Sequence, residues 1–206
     1  MSEAGAMLDH DWFDRPLPAN VRLGEGSWLH SAYAFLHCRS RRPAALTVGH
    51  DTGIYRGTFF ELGDRAEVRI GNYCSIVGAI VVTDGDLEIG DYTFIAHDVV
   101  IADSFAAVPP GAALRSPSAE RLATRIGSNV WVGARAILLG GTVLGDNCVV
   151  GAASVVEGEF PADCLVAGNP ARVVRRIEAR LSAGDAAVPP RGSRAPSTEG
   201  SSGSKR

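Results

Sequence analysis

Long apolar runs are missing from this chain, so nothing in it reads as a membrane-spanning helix. The first residues, MSEAGAMLDHDWFDRP, are acidic and hold no apolar stretch, which argues against a secretory signal and predicts a cytoplasmic protein. An excess of positive charge is also missing: 20 Lys and Arg stand against 23 Asp and Glu, a formal net charge of −3. No basic field is therefore available to recruit nucleic acid or an anionic membrane surface. The four cysteines, Cys38, Cys74, Cys148 and Cys164, form no CxxC pair, which removes the zinc ribbon and the thioredoxin-like motif. What the chain does have is an apolar period that fits neither a helix nor a simple strand.

Ile, Leu or Val recurs every six residues at Ile126, Val132, Leu138, Leu144, Val150 and Val156. Ile70, Ile76 and Val82 form an earlier set, Ile89, Ile95 and Ile101 another, and Val48, Ile54 and Phe60 open the array. Four residues after most of these comes a small or short side chain: Thr52, Thr58, Cys74, Thr93, Val99, Val130, Ala136, Thr142, Cys148 and Ser154. A period of six is the mark of a parallel β-helix, whose coils bury their inner face only by stacking on one another. Three hexads make one triangular coil. The aliphatic residue fills the prism, and the small one four later also points inward, near a corner without room for bulk. Cys74 and Cys148 hold that small position and read as buried structural thiols. Glycine after the aliphatic residue, as at Gly49, Gly71, Gly90 and Gly127, is expected to relax the backbone at the turn. The hexad pattern marks the left-handed form, an exception to the usual right-handed crossover.

The expected architecture is all-β: a left-handed parallel β-helix over residues 48–178, preceded by an N-terminal arm and an irregular first coil over 1–47. Short insertions fall between Phe60 and Ile70 and between Val82 and Ile89. A long one, loop 102–125, separates Ile101 from Ile126, and an excursion of that length from a solenoid is more often functional than not. After Pro170 a stripe of Val173, Val174, Ile177 and Leu181 predicts a short C-terminal helix. Residues 179–206 are rich in Pro, Gly, Ser, Ala and charge and read as a disordered tail.

Ile126-Gly127-Ser128-Asn129-Val130-Trp131-Val132-Gly133 and Ala167-Gly168-Asn169-Pro170-Ala171-Arg172-Val173-Val174 resemble the signature coil and the C-terminal signature of hexapeptide-repeat acyltransferases, in the galactoside and maltose O-acetyltransferase branch. The resemblance implies a homotrimer, acetyl-CoA as co-substrate and a sugar-like small-molecule acceptor. It also carries over Ala134, Ala152, Arg172 and Arg175 as coenzyme A contacts. Small residues such as Ala134 and Ala152 let an extended pantetheine arm approach the backbone, and guanidinium forks match phosphate oxygens.

Acyl transfer from a thioester needs a base for the acceptor proton and a donor for the oxyanion. In the galactoside and maltose enzymes the base is a loop histidine just after the position of Ile101. Here that stretch, Ala102-Asp103-Ser104-Phe105-Ala106-Ala107, has none, and Val77 stands near the place of an acceptor-binding asparagine. Asp84 does match an acceptor-binding aspartate. Ile95-Ala96-His97-Asp98 instead resembles the Ile-x-His-Asp/Glu stretch of amino-sugar N-acetyltransferases, which implies His97 as base and an acidic residue, Asp98, to orient it. Lying two residues beyond an inward isoleucine, His97 is expected to face outward. The expected function is coenzyme A-dependent acyl transfer to a hydroxyl or amine. The alternative is a non-catalytic hexapeptide protein that has lost the loop histidine. A γ-class carbonic anhydrase-like metalloenzyme ranks below both, because Ala102 occupies the place of its second zinc-binding histidine, and no metal site is expected.

Overall fold

A computed structural model describes residues 6–103 and 123–178. The predicted excursion lies almost wholly outside these residues, and the predicted tail entirely so. The chain winds coil by coil. The first coil holds β1 (Val21–Leu23), β2 (Trp28–Leu29) and a 3-10 turn (Ala32–Phe35); the second β3 (Leu46–Val48), β4 (Gly53–Ile54) and β5 (Phe59–Leu62). Next come β6 (Glu67–Ile70), β7 (Ser75–Ile76) and β8 (Ile80–Thr83), then β9 (Asp86–Ile89), β10 (Phe94–Ile95) and β11 (Val100–Ala102). Beyond the excursion lie β12 (Thr124–Ile126), β13 (Trp131–Val132) and β14 (Ile137–Leu139), followed by β15 (Val143–Leu144), β16 (Val149–Val150) and β17 (Val155–Val156). β18 (Glu159–Phe160), β19 (Cys164–Gly168) and β20 (Ala171–Arg176) close the array. Every third strand joins the same sheet, so three sheets wall a left-handed parallel β-helix. Every strand pair is parallel except β19 with β20. No described helix is long and apolar enough to cross a membrane.

The hexad residues are the core. Ile54, Phe60, Ile95, Val132, Leu138 and Val156 have no exposed surface, and each contributes about 1.5–3 kcal/mol by leaving water. All ten short residues four positions on are buried as well. Their hydroxyls are satisfied by neighbouring coils: Thr52 Oγ1 donates to Gly71 O at 2.8 Å and Thr93 Oγ1 to Gly127 O at 2.9 Å. The interior is dry enough that burial, followed by the hydrogen bond to Cys164 Sγ, pushes the Cys148 thiol up to about 12.

The irregular first coil expected within residues 1–47 is present, since β1 and β2 pair with β3 and β4, and Leu29 and Phe35 are buried. Three features differ from the sequence expectation. Between Ile76 and β8 the corner is one residue shorter: Ala79 takes the small inward place, so Val81 fills the core and Val82 turns outward. The two short insertions lengthen the strands meeting at the corner between the third and first sheets, where Phe60 with Leu62, Val68 with Ile70, and Leu87 with Ile89 all face inward. The N-terminal coils are thus wider than those after the excursion. Finally, Val173 and Val174 of the C-terminal stripe lie on strand β20 and not on a helix, while Leu181 lies outside the described residues. Gly168, at φ +108, turns the chain back so that β20 pairs antiparallel with β19 and satisfies its open edge.

The glycines after the hexad residues have a different task from the one expected. The left-handed conformation falls two residues later, on Asp51, Tyr73, Tyr92, Asn129 and Asn147. Gly49, Gly71, Gly90, Gly127 and Gly145 instead stack as a column of touching backbones. A Cβ on Gly71 would stand 2.9 Å from the carbonyl carbon of Gly90, and one on Gly90 2.7 Å from that of Gly127.

The N-terminal arm is fastened to the first coil by Leu17, which is buried, and by Asp11. Its carboxylate accepts from the amides of Ala32 and Phe13. Burial opposes ionisation there, but the hydrogen bonds from Phe13, Ala32 and Ser31 and the neighbouring His10 outweigh it and hold the carboxyl below its ordinary 3.8.

Two outcomes follow. Gly127→Ala places a methyl 2.8 Å from the Gly145 carbonyl carbon. It should lower stability by about 1–3 kcal/mol, read as a fall in Tm; an unchanged Tm contradicts the stacked column. A depressed folded pKa makes the Asp11 tether fully effective above its ordinary value and lost as pH falls through the lower one. Hydrogen exchange at the Ala32 amide should therefore quicken on acidification below 3.8, and Asp11→Asn should remove that dependence.

Candidate active site

Three corners run the length of the prism, and the second, between the second and third sheets, gathers most of the expected site. Leu29, Ile54, Ile76, Ile95, Val132 and Val150 are in register across six strands. The residues two positions beyond them, Ser31, Arg56, Gly78, His97, Ala134 and Ala152, therefore form one column, with a step of about 4.8 Å per coil. Backbone hydrogen bonds fix it: Asp98 N donates to Gly78 O at 3.1 Å, Arg135 N to His97 O at 3.0 Å and Ala153 N to Ala134 O at 2.9 Å.

His97 is exposed and faces outward, as its place in the hexad requires. Its ring leans over Gly78: a Cβ there would lie 3.7 Å from His97 Cδ2. Ala134 is half-buried and Ala152 exposed. The imidazole thus stands in an open corner with only hydrogen or methyl groups on the coils immediately around it. Asp98 departs from expectation. Adjacent to His97, in the left-handed region at φ +58, it aims its carboxylate at Arg135, with Oδ2 to Nε at 3.6 Å, and makes no hydrogen bond to the imidazole. Neighbouring residues at a turn diverge, so a contiguous His-Asp pair in sequence is not a pair in space.

Arg172 and Arg175 lie on β20, opposite Ala167 and Leu165 of β19. Directly opposed residues share a side of the sheet. The register shift between Leu165 and Val166 absorbs the odd spacing of the two arginines and brings both to the outer side, with Leu165 and Ala167. Arg172 sits beside the C-terminal end of the His97 column, and Arg175 lies further back along β19 on the same outer side.

Asp84 lies elsewhere. It is exposed at the third corner, across the width of the third sheet from His97, which at about 3.3 Å per residue is on the order of 15–20 Å. Its neighbour there is a residue the sequence reading passed over. Asp103 caps the turn with its carboxylate, accepting from Thr83 Oγ1, Asp84 N at 2.9 Å and Gly85 N at 3.0 Å. Asp103 stands where the chain leaves for the excursion.

Below Gly78 the second corner opens into a cavity of about 460 Å³ between the N-terminal arm and the first two coils, lined by Trp12, Tyr33, Tyr55, Arg56 and Phe59 among others. The sequence carried a signal for part of it, since Arg56 has the same offset from Ile54 as His97 has from Ile95. The arm's contribution had none. A second groove, along the first sheet, is filled with mutual ion pairs, Arg69 and Arg125 both reaching Glu88.

Residues 123–158 match the family described as bacterial transferase hexapeptide (six repeats). The chain is 32% identical to the galactoside O-acetyltransferase of Escherichia coli over 136 residues, covering 65% of each. It is 35% identical to the putative lipopolysaccharide biosynthesis O-acetyl transferase WbbJ of the same organism over 117 residues, covering 53% of this chain and 57% of that protein. It thus spans less than two thirds of the length of these relatives. An N-acyltransferase from Bacillus cereus, solved with dTDP and coenzyme A, superposes with a TM-score of 0.55 at 18% identity over 76% of this chain and 84% of that one. A hexapeptide-repeat acetyltransferase of Vibrio cholerae gives a TM-score of 0.52 at 23% identity over 66% of this chain and 72% of that one. Both structures share its fold. By repeat, register and relatives, this chain carries bacterial transferase hexapeptide repeats on a left-handed β-helix and is similar to a galactoside O-acetyltransferase.

Proposed function

We infer that the protein transfers an acyl group, acetyl in the first instance, from coenzyme A to a hydroxyl or amine of a sugar-like small molecule. The observation that carries this reading is the second corner. His97, Ala134 and Ala152 fall on one column, and two arginines share the outer side of the sheet at its end. The chemistry of that lining fits the donor. Ala134 and Ala152 leave a narrow, flat path for the pantetheine arm, and Arg172 and Arg175 hold the phosphates through charge-assisted hydrogen bonds. Likeness to a galactoside O-acetyltransferase supports a sugar as acceptor and oxygen as the acylated atom.

His97 takes the proton from the attacking hydroxyl as its oxygen bonds to the acyl carbon. The carbon–sulfur bond breaks, and His97 returns that proton to the departing thiolate, leaving the ester and free coenzyme A. Asp98 has no part in this step, being paired with Arg135. We also read the protein as a homotrimer. The outer faces of the second and third sheets carry exposed Trp28, Phe94, Trp131 and Ile80, whereas the first sheet carries charge. Packing of the two apolar faces between copies would cover them.

The non-catalytic alternative draws on one observation, that among the described residues no carboxylate hydrogen-bonds to His97. Coenzyme A thiol release in the presence of a sugar panel separates the two, and His97→Ala sharpens the test. Turnover should drop about 10²–10⁴-fold with donor affinity unchanged, and full retention of turnover would remove His97 from the reaction. Arg172→Ala should weaken coenzyme A binding by about 1–3 kcal/mol, less at high salt, as calorimetry would measure; equal affinities would return Arg172 to the solvated surface.

A further inference from the structure

We propose that the cavity at the foot of the second corner is the acceptor pocket and that it takes a sugar ring bearing an acidic group, an assignment whose place in the reaction rests on the acyl-transfer reading above. At about 460 Å³ the cavity lies within the range of small-molecule sites, ~300–1,000 Å³, and holds one or two sugar rings.

Its walls are built and not incidental. Tyr33 packs between Trp12 and Phe59, with ring centroids 5.7 Å apart for Trp12 and Tyr33 and 6.2 Å for Tyr33 and Phe59. Tyr55 faces the same space. Trp12 is held in place by its neighbour Asp11, whose two oxygens accept from the amides of Phe13 and Ala32 and so clamp the arm to the first coil. Aromatic faces carry partial negative charge and accept the polarised C–H edge of a sugar ring. Trp12, Tyr33 and Tyr55 keep a large part of their surface open.

The charge of the lining is one-sided. Arg56 is exposed, and among the described residues it has no ion-pair partner and no Asp or Glu lines the cavity with it. A guanidinium fork of that kind matches a carboxylate or a phosphate. Position completes the inference. Arg56, Gly78 and His97 are consecutive in the corner column, so Arg56 and His97 are about 10 Å apart along the corner. Gly78 separates them without a side chain: a Cβ there would lie 3.7 Å from both the Arg56 carbonyl oxygen and the His97 ring. A ring with its acidic group on Arg56 and its plane against the aromatic wall presents the hydroxyl at its far end to His97. That hydroxyl loses its proton to His97 and gains the acyl group, while the thiol leaves with the proton.

The test is a binding measurement made without donor and a kinetic one made with acetyl-CoA, both on the full chain. The probes are methyl glucuronide against methyl glucoside, and glucose 6-phosphate against glucose. The anionic member of at least one pair should bind at least ~10-fold more tightly by calorimetry, the usual worth of a charge-assisted contact. Which pair responds tells carboxylate from phosphate. Arg56→Gln should erase that preference while changing affinity for the neutral sugar less than about twofold, and Arg56→Lys should restore part of it. In turnover, Arg56→Gln should raise KM for the anionic acceptor with kcat nearly unchanged. Equal binding of charged and neutral probes by wild type, or a preference untouched by Arg56→Gln, overturns the pocket. If Arg56-dependent binding is found but no thiol is released with any acceptor, the pocket stands as a binding site and the acyl-transfer reading falls. If thiol release proceeds with neutral sugars independently of Arg56 and Tyr55→Ala, the reverse holds.

Discussion

Everything in this molecule depends on coils stacking in register. A single coil has no interior of its own; its inward Ile, Leu and Val leave water only because the coil above and the coil below close over them. The column from Gly49 to Gly145 shows how tightly that condition is met, because backbones at the first corner approach so closely that a methyl group would collide. The hydrogen bonds between coils and the buried threonine hydroxyls enforce the same spacing from inside. A site on such a scaffold inherits its precision. His97, Ala134 and Ala152 stand one above another because Ile95, Val132 and Val150 do.

The same logic explains how much could be read in advance. A strict period of six specifies a triangular coil, and a residue's offset from the aliphatic position fixes whether it faces in or out. Hence the core, the short inward residues and the outward setting of His97 were legible. What escaped were features in which the period is broken or unneeded. The one-residue shortening before Ala79 moved Val81 into the core in place of Val82, because glycine and alanine at a corner permit a tighter turn than the hexad template assumes. The short insertions lengthen strands, since alternation within Phe59–Leu62 and Glu67–Ile70 adds a second inward residue to each. The C-terminal valine stripe is compatible with either period, and the free edge of β19 decided it as a strand.

The site was legible in part for the same reason. Residues on one offset of the repeat, His97 with Ala134 and Ala152, came together. Residues adjacent in sequence did not, because Asp98 turns away from its neighbour to reach Arg135. Asp84 occupies another corner, beside the Asp103 carboxylate that anchors the start of the excursion. The aromatic cavity depends on the N-terminal arm folding back over the first coil, a long-range contact with no periodic signature, set by Leu17, Asp11 and the stacking of His10 on Trp28.

On the proposed reading the second corner carries a donor path of small residues, a solvent-facing imidazole and, beyond a glycine, an aromatic pocket whose Arg56 has no ion-pair partner among the described residues. That order, from Arg172 through Ala152, Ala134 and His97 to Arg56, is the central claim. A crystal structure of the protein with coenzyme A bound tests it most directly. The phosphates are expected at Arg172 and Arg175, the pantetheine arm along Ala152 and Ala134, and the thiol beside His97. A thiol placed at the third corner, next to Asp84 and Asp103 of the same subunit, would contradict it.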